Sequence, residues 1–192
     1  MINNIISGLV ETNKFELDKR ELYARLGGKM DEAILDNYIN KYNNVASYRY
    51  AYVRVNVVVQ DNVCKFDFAQ IESKSLSKVL TNSNEAIILA VTSGLEVDRF
   101  ISKTYIQSKT DAFIYDAIAS AEIESFADYI TNQIKEENII TNRFSPGYAD
   151  LSLEIQQPLL DRLNATKLLG ISPSSNFMMI PKKSITAIIG IR

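Results

Sequence analysis

The spacing of apolar positions changes along this chain, and each change predicts an element. Residues 18–26 and 31–43 carry helical spacing. In the second stretch Ile34, Leu35, Tyr38, Ile39 and Tyr42 fall on one stripe, and Asp31 stands where an N-cap belongs. From 48 to 59 the period drops to two. Tyr48, Tyr50 and Tyr52 alternate with Arg49, Ala51 and Val53, and valines follow, which predicts a long strand. Asp61-Asn62 reads as a tight turn into residues 63–68, where Cys64, Phe66 and Phe68 alternate with Lys65 and Asp67. The two runs form an antiparallel hairpin on this reading.

Residues 73–80 predict a short helix. The continuous apolar run 86–92 has the pattern of a strand buried on both faces, and Gly94 ends it. Residues 95–106 and 110–135 follow helical spacing. In the second, Phe113, Ala117, Ser120, Ala121 and Glu124 keep the period, and its small residues permit close packing. Residues 153–163 predict a helix started or kinked by Pro158, and 184–191 a last strand. A hairpin, an apolar strand, several helices and a late strand give an α+β fold, mainly antiparallel sheet with packed helices. No repeat, low-complexity tract or Pro/Gly/Ser-rich linker interrupts the chain, so residues 1–192 are expected to form a single domain.

Composition narrows the function classes. The 192 residues are 46% hydrophobic and 23% charged, with a formal net charge of −2. No broad basic field is expected, so a nucleic-acid partner is not. There is no histidine, which excludes Ser-His-Asp and Cys-His catalysis, histidine metal sites and a histidine ligand to cobalt. The lone Cys64 rules out an intramolecular disulfide and reads as a small packed hydrophobe. Met1–Val10 lacks a basic n-region and does not read as a signal peptide. No run approaches the ~20 apolar residues that span a bilayer. The expected location is cytoplasmic, without a membrane partner.

The candidate chemistry lies in Arg143-Phe144-Ser145-Pro146-Gly147-Tyr148, between a polar stretch and the apolar run from Leu151. Pro-Gly marks a fixed turn. An arginine and a tyrosine flanking such a turn suit a ligand with a carboxylate at one end and a flat ring at the other.

This loop resembles the arginine-x-x-proline-glycine-tyrosine signature of the activation domain of vitamin B12-dependent methionine synthase. Three further segments are similar to that family in order and spacing. They are Ala90 to Arg99, ending Gly94-Leu95-Glu96-Val97-Asp98-Arg99; Tyr115 to Ala127 along the central helix; and Met178 to Gly190 at the last strand. Together they cover roughly residues 80–192.

The resemblance implies an activation-domain fold that binds S-adenosylmethionine and supports reductive methylation of cob(II)alamin, with electrons from a flavodoxin or ferredoxin. Arg143 would pair with the ligand carboxylate. Ser145, Pro146 and Gly147 would bring main chain close to it. Tyr148 would meet the ring or sulfonium, and Glu124 would receive the ammonium or the ribose hydroxyls. Asp98 is read as a structural hydrogen-bonding residue. Lys182, Lys183 and Arg192 could form a small positive patch, but such a run is usually just a solvated edge. Each site residue also has a plain reading: a turn-closing arginine, turn-shaping residues, a core tyrosine, a helix-surface carboxylate.

The departures shape the rest. The long family form follows the tyrosine with a segment containing proline, cysteine and an aspartate-histidine pair, whereas Ala149-Asp150-Leu151-Ser152 stands here. That form also continues to a strand with paired tyrosines near the ligand; with Arg192 last, that pocket wall is expected to be absent or supplied differently. Without histidine the chain has no Asp-x-His-x-x-Gly cobalamin signature, so cobalamin would enter only through a partner. The expected role is a stand-alone reactivation subunit with no catalytic acid, base or nucleophile. It would act on a corrinoid methionine synthase or methyltransferase lacking its own activation domain. The alternative is a docking or chaperone module for a corrinoid protein that has lost the small ligand.

Overall fold

The centre of the molecule is the strand at Glu85–Thr92, hydrogen-bonded on both sides. In a computed structural model that describes residues 4–192, the elements run in chain order as follows. The first part contains β1 (Ile6–Val10), α1 (Lys19–Leu26), α2 (Glu32–Asn43), β2 (Tyr48–Gln60), β3 (Val63–Phe66), β4 (Gln70–Glu72) and α3 (Lys74–Val79). Then come β5 (Glu85–Thr92), α4 (Leu95–Gln107), α5 (Lys109–Glu137), α6 (Gln156–Arg162), α7 (Ala165–Leu169), β6 (Ser172–Pro173), β7 (Met179–Ile180) and β8 (Ser184–Ile191). The main sheet has the order β4-β3-β2-β5-β8, with β1 also paired to β2, and every pairing is antiparallel. The α+β class read from the sequence is the observed one. Residues 1–3 of the Met1–Val10 stretch lie outside the described residues.

Helices cover both faces of this sheet, which is why β5 is apolar at nearly every position rather than at alternate ones. Ile87, Leu89 and Val91 join Tyr48, Phe126, Ile118 and Ile130 in one core, with α1, α2, α4 and α5 outside it. Ala86, Ile88 and Ala90 point the other way, into a core of Val53, Val55, Leu76, Leu159, Leu163 and Leu169 from β2, α3, α6 and α7. The two-residue period of β2 sorts its side chains in the same manner: Tyr48 belongs to the first core, Ala51, Val53, Val55 and Val57 to the second.

Local chemistry fixes the boundaries. Asp18, Asp31, Ser73 and Ser108 each cap a helix, accepting from Arg20, Ile34, Leu76 and Asp111 N–H groups respectively. The β2–β3 hairpin turns at Asp61-Asn62, with Gln60 opposite Val63 and Asp61 at a positive φ of 55°. Pro158 is the third residue of α6, inside the first turn, where its missing N–H breaks no bond; it starts the helix rather than kinking it. The single helix expected over 153–163 is instead a 3-10 turn (Leu153–Ile155) leading into α6. Cys64 is buried with its sulfur 3.4 Å from Ser77 Oγ, and burial raises its thiol pKa.

Two features place the candidate site. First, α5 is 29 residues long, about 43 Å at the helical rise, and crosses behind β5 and β8. Second, the chain leaving α5 doubles back along the outer edge of β8. Arg192 N donates to Ile139 O (2.8 Å), Thr141 N to Gly190 O (2.9 Å) and Phe144 N to Ile188 O (3.0 Å); Ile188 N returns a bond to Phe144 O (2.8 Å). Residues 139–144 therefore lie as a strap against the last strand and deliver Arg143 to its edge.

Candidate functional site

Past the strap, the chain makes the turn expected from Pro146-Gly147. Tyr148 N donates to Ser145 O (3.1 Å), Gly147 N to Leu151 O (2.8 Å) and Leu151 N to Tyr148 O (2.9 Å). Gly147 has φ of +89°, a conformation that L side chains resist, and a Cβ there would lie 3.0 Å from Leu153 Cδ2. The turn is tied down by Asp150. Its carboxylate accepts from Ser73 Oγ (2.7 Å), Lys74 N (2.7 Å) and Ser75 N (3.2 Å) at the start of α3. The Ser73 hydroxyl, foremost among these donors, holds the Asp150 pKa down to about 2. Asp150 stands in the four residues that depart from the family pattern, and its work here is to anchor the loop.

Between this turn, α5 and β8 lies a cavity of about 760 Å³. Arg143, Ser145, Gly147, Tyr148 and Glu124, the residues singled out in the sequence, all line it. They come from the strap, the turn and the middle of α5, 19 residues before the arginine, so only the fold unites them. Tyr148 sits at the mouth and is 58% exposed, which sets aside the core-tyrosine reading. Its ring centroid is 6.4 Å from that of Phe144.

The charges are arranged around Arg143. Its Nη2 donates to Glu124 Oε2 (3.0 Å) and to Asp128 Oδ1 (2.8 Å). Glu124 and Asp128 are four residues apart on α5 and share one face. Two carboxylates thus share one guanidinium, and the trio keeps a surplus negative charge. The other terminal nitrogen, Nη1, is buried and has no hydrogen-bond partner among the described residues. A buried guanidinium N–H left unpaired is costly, so this atom is an open donor for an anionic oxygen.

Further polar groups close the cavity. Gln156 and Thr186 line it, and the Thr186 hydroxyl donates to Gln156 Oε1. Ser184 also lines it, its hydroxyl bonded to Thr92 Oγ1 and Pro181 O at 2.8 Å each. Asp128 could have been found from its spacing to Glu124. Gln156 and Thr186 could not, because they are 30 residues apart and meet only when α6 packs on β8.

Two other readings can be placed. Asp98 accepts from Lys182 N at 2.7 Å and so braces the entry to β8, away from the cavity lining. Lys182, Lys183 and Arg192 do not gather into a patch. Lys183 Nζ is paired with Asp116 (2.8 Å) and Ser120 Oγ (2.8 Å), and Arg192 is at the far end of an eight-residue strand. At the strand rise the two ends lie about 25 Å apart. Among the described residues, no helix is long and apolar enough to cross a membrane.

Comparison with protein-family models gives no match, and comparison with curated proteins gives none either. Among solved structures the chain is similar to the crystal structure of the MetH reactivation domain bound to AdoHcy, with a TM-score of 0.71. The likeness covers 98% of this chain and 78% of that one, at 13% sequence identity. At that identity the likeness concerns the backbone, and it holds over nearly the whole length: a curled antiparallel sheet with packed helices, the fold of a methionine synthase activation domain.

Proposed function

We propose that this chain binds S-adenosylmethionine in the cavity at the edge of β8 and acts as a reactivation subunit for a separate corrinoid methionine synthase or methyltransferase. The observation that carries the reading is Arg143, which lines a cavity large enough for a nucleoside-sized ligand and keeps a buried, unpartnered donor at Nη1. The fold comparison supports it, because the related domain was crystallised with AdoHcy.

The residues fit such a ligand by chemistry. Arg143 would hold the amino-acid carboxylate through Nη1 by a charge-assisted hydrogen bond. Glu124 and Asp128, with their surplus negative charge, would favour the ammonium and the sulfonium. The Ser145-Pro146-Gly147 turn would bring main chain close, and Tyr148 would offer its ring at the mouth. The ligand supplies the methyl group for reductive methylation of cob(II)alamin on the partner, with the electron from a flavodoxin or ferredoxin. The protein's own contribution is to hold and orient, so no side chain is assigned as acid, base or nucleophile. A docking module that has lost its ligand fits less well, since it gives the open donor of Arg143 no partner.

Calorimetric titration with S-adenosylmethionine tests the reading, with and without a corrinoid partner. Wild-type protein is expected to bind, and Arg143→Ala to bind about tenfold to hundredfold more weakly while remaining folded. A folded wild-type protein that binds neither alone nor with the partner would refute it.

A further inference from the structure

Gln156 is 5% exposed and lies on the cavity wall. Its side-chain orientation is set by chemistry rather than chance. Thr186 is also buried, and its hydroxyl proton has one acceptor among the described residues, Gln156 Oε1. Reversing the amide would present N–H₂ to that hydroxyl and strand the threonine proton in the interior. The carbonyl therefore faces Thr186. The amide nitrogen has no partner among the described residues and is left on the cavity side, as a donor with nothing to donate to.

The surroundings say what it would donate to. Leu153 lies one 3-10 turn before Gln156, and Leu153, Tyr148 and Met179 contribute apolar surface to the same cavity. The hydroxyls of Ser184 and Thr186 on the β8 side of the cavity are already bonded within the protein, whereas Glu124, Asp128, Thr131 and Asn132 line it from α5. Along β8, Thr186 lies two residues before Ile188, where Phe144 and hence Arg143 are anchored, a separation of roughly 7 Å at the strand rise. A fixed N–H₂ donor on a wall whose hydroxyls are already engaged, set apart from the guanidinium, fits the edge of a flat nitrogen heterocycle. A ribose would instead be drawn to the hydroxyls and carboxylates of α5.

We infer that Gln156 is the group that reads the purine ring of the nucleoside, donating from Nε2 to a ring nitrogen, with Thr186 as the positioning residue that fixes its amide. The inference rests on the S-adenosylmethionine reading of this cavity and adds to it the determinant for the base.

The test is titration of S-adenosylhomocysteine and its 1-deaza, 3-deaza and 7-deaza analogues against wild type, Gln156→Glu and Gln156→Leu. Glu keeps an acceptor for Thr186 and removes the donor; Leu removes both, and circular dichroism checks its fold. Wild type is expected to lose about tenfold in affinity for one deaza analogue, the one lacking the nitrogen that Gln156 addresses. Gln156→Glu is expected to bind the parent at least tenfold more weakly and to treat that analogue and the parent alike. Equal binding of all four ligands by wild type, or parent affinity within twofold in Gln156→Glu, overturns the assignment. If wild type binds the parent in either of those cases, the ligand reading survives and only the role of Gln156 falls. Failure of wild type to bind the parent either alone or with the corrinoid partner overturns both.

Discussion

Replacing Glu122 with glutamine should stabilise the protein at neutral pH and above, and leave it unchanged in acid. Glu122 is on α5, two residues before the cavity-lining Glu124, but it points into the first core and is 5% exposed. Its one partner among the described residues is Tyr48, whose hydroxyl donates to Glu122 Oε2 at 3.3 Å and also lies 3.3 Å from Tyr42 Oη. Burial pushes the carboxyl up to about 7, and the Tyr48 hydrogen bond only partly offsets it. The sign follows from proton counting. Below about pH 4.5 the group is protonated in both states and costs nothing. Between 4.5 and 7 the unfolded chain releases a proton that the folded chain keeps, so stability falls by about 1.4 kcal/mol per pH unit. Above 7 both forms are ionised and the loss levels off at about 3 kcal/mol. Glutamine retains the acceptor for Tyr48 and cannot ionise. Urea denaturation of both proteins from about pH 4 to about pH 8.5 should show curves that coincide in acid and separate to about 3 kcal/mol in favour of the Glu122→Gln variant. In melting temperature this is about 6–12 °C for a chain of this size. Curves separated by a constant amount, or wild type more stable near pH 8, would refute the account of Glu122 as a buried, late-ionising carboxyl.

Two further outcomes are expected. Asp150→Asn should weaken the anchorage of the Pro146-Gly147 turn on α3; because the Asp150 pKa is lowered to about 2, its contribution is present above about pH 4 and lost as pH falls through 2. The gap between variant and wild-type denaturation midpoints should therefore be widest near neutrality and shrink in acid. Gly147→Ala should lower stability by about 1–2 kcal/mol, the cost of a left-handed residue, with added crowding against Leu153; a thermal melt unchanged from wild type would show that the turn relaxes freely.

Legibility in the sequence tracked the range of the interactions. The β2–β3 hairpin, the cap at Asp31 and the doubly buried β5 were readable, because each is set by neighbours within a few residues. β1 was not: Ile6 and Leu9 are exposed, so its apolar pattern does not report the sheet it joins. α7 is five residues long, too short for a period to register. The Arg143 loop stood out through its turn residues, but its electrostatics did not. The sequence paired Arg143 with a ligand and gave Glu124 a separate task, whereas the fold brings both together with Asp128. Asp150 looked like a departure from a pattern, and its purpose emerges only when α3, some 75 residues earlier, is placed beside it.

The strap along β8 has a consequence for assembly. A bare last strand would offer a row of unpaired N–H and C=O groups to any extended peptide, including a second copy of the same strand. Here Ile139, Thr141 and Phe144 occupy that row, and Phe144 does so one residue after Arg143. Protection against templated β-association and construction of the cavity are thus performed by the same few residues. An invading strand would have to peel off the segment that carries the guanidinium, so a molecule whose strap has opened loses its cavity wall at the moment it becomes able to aggregate.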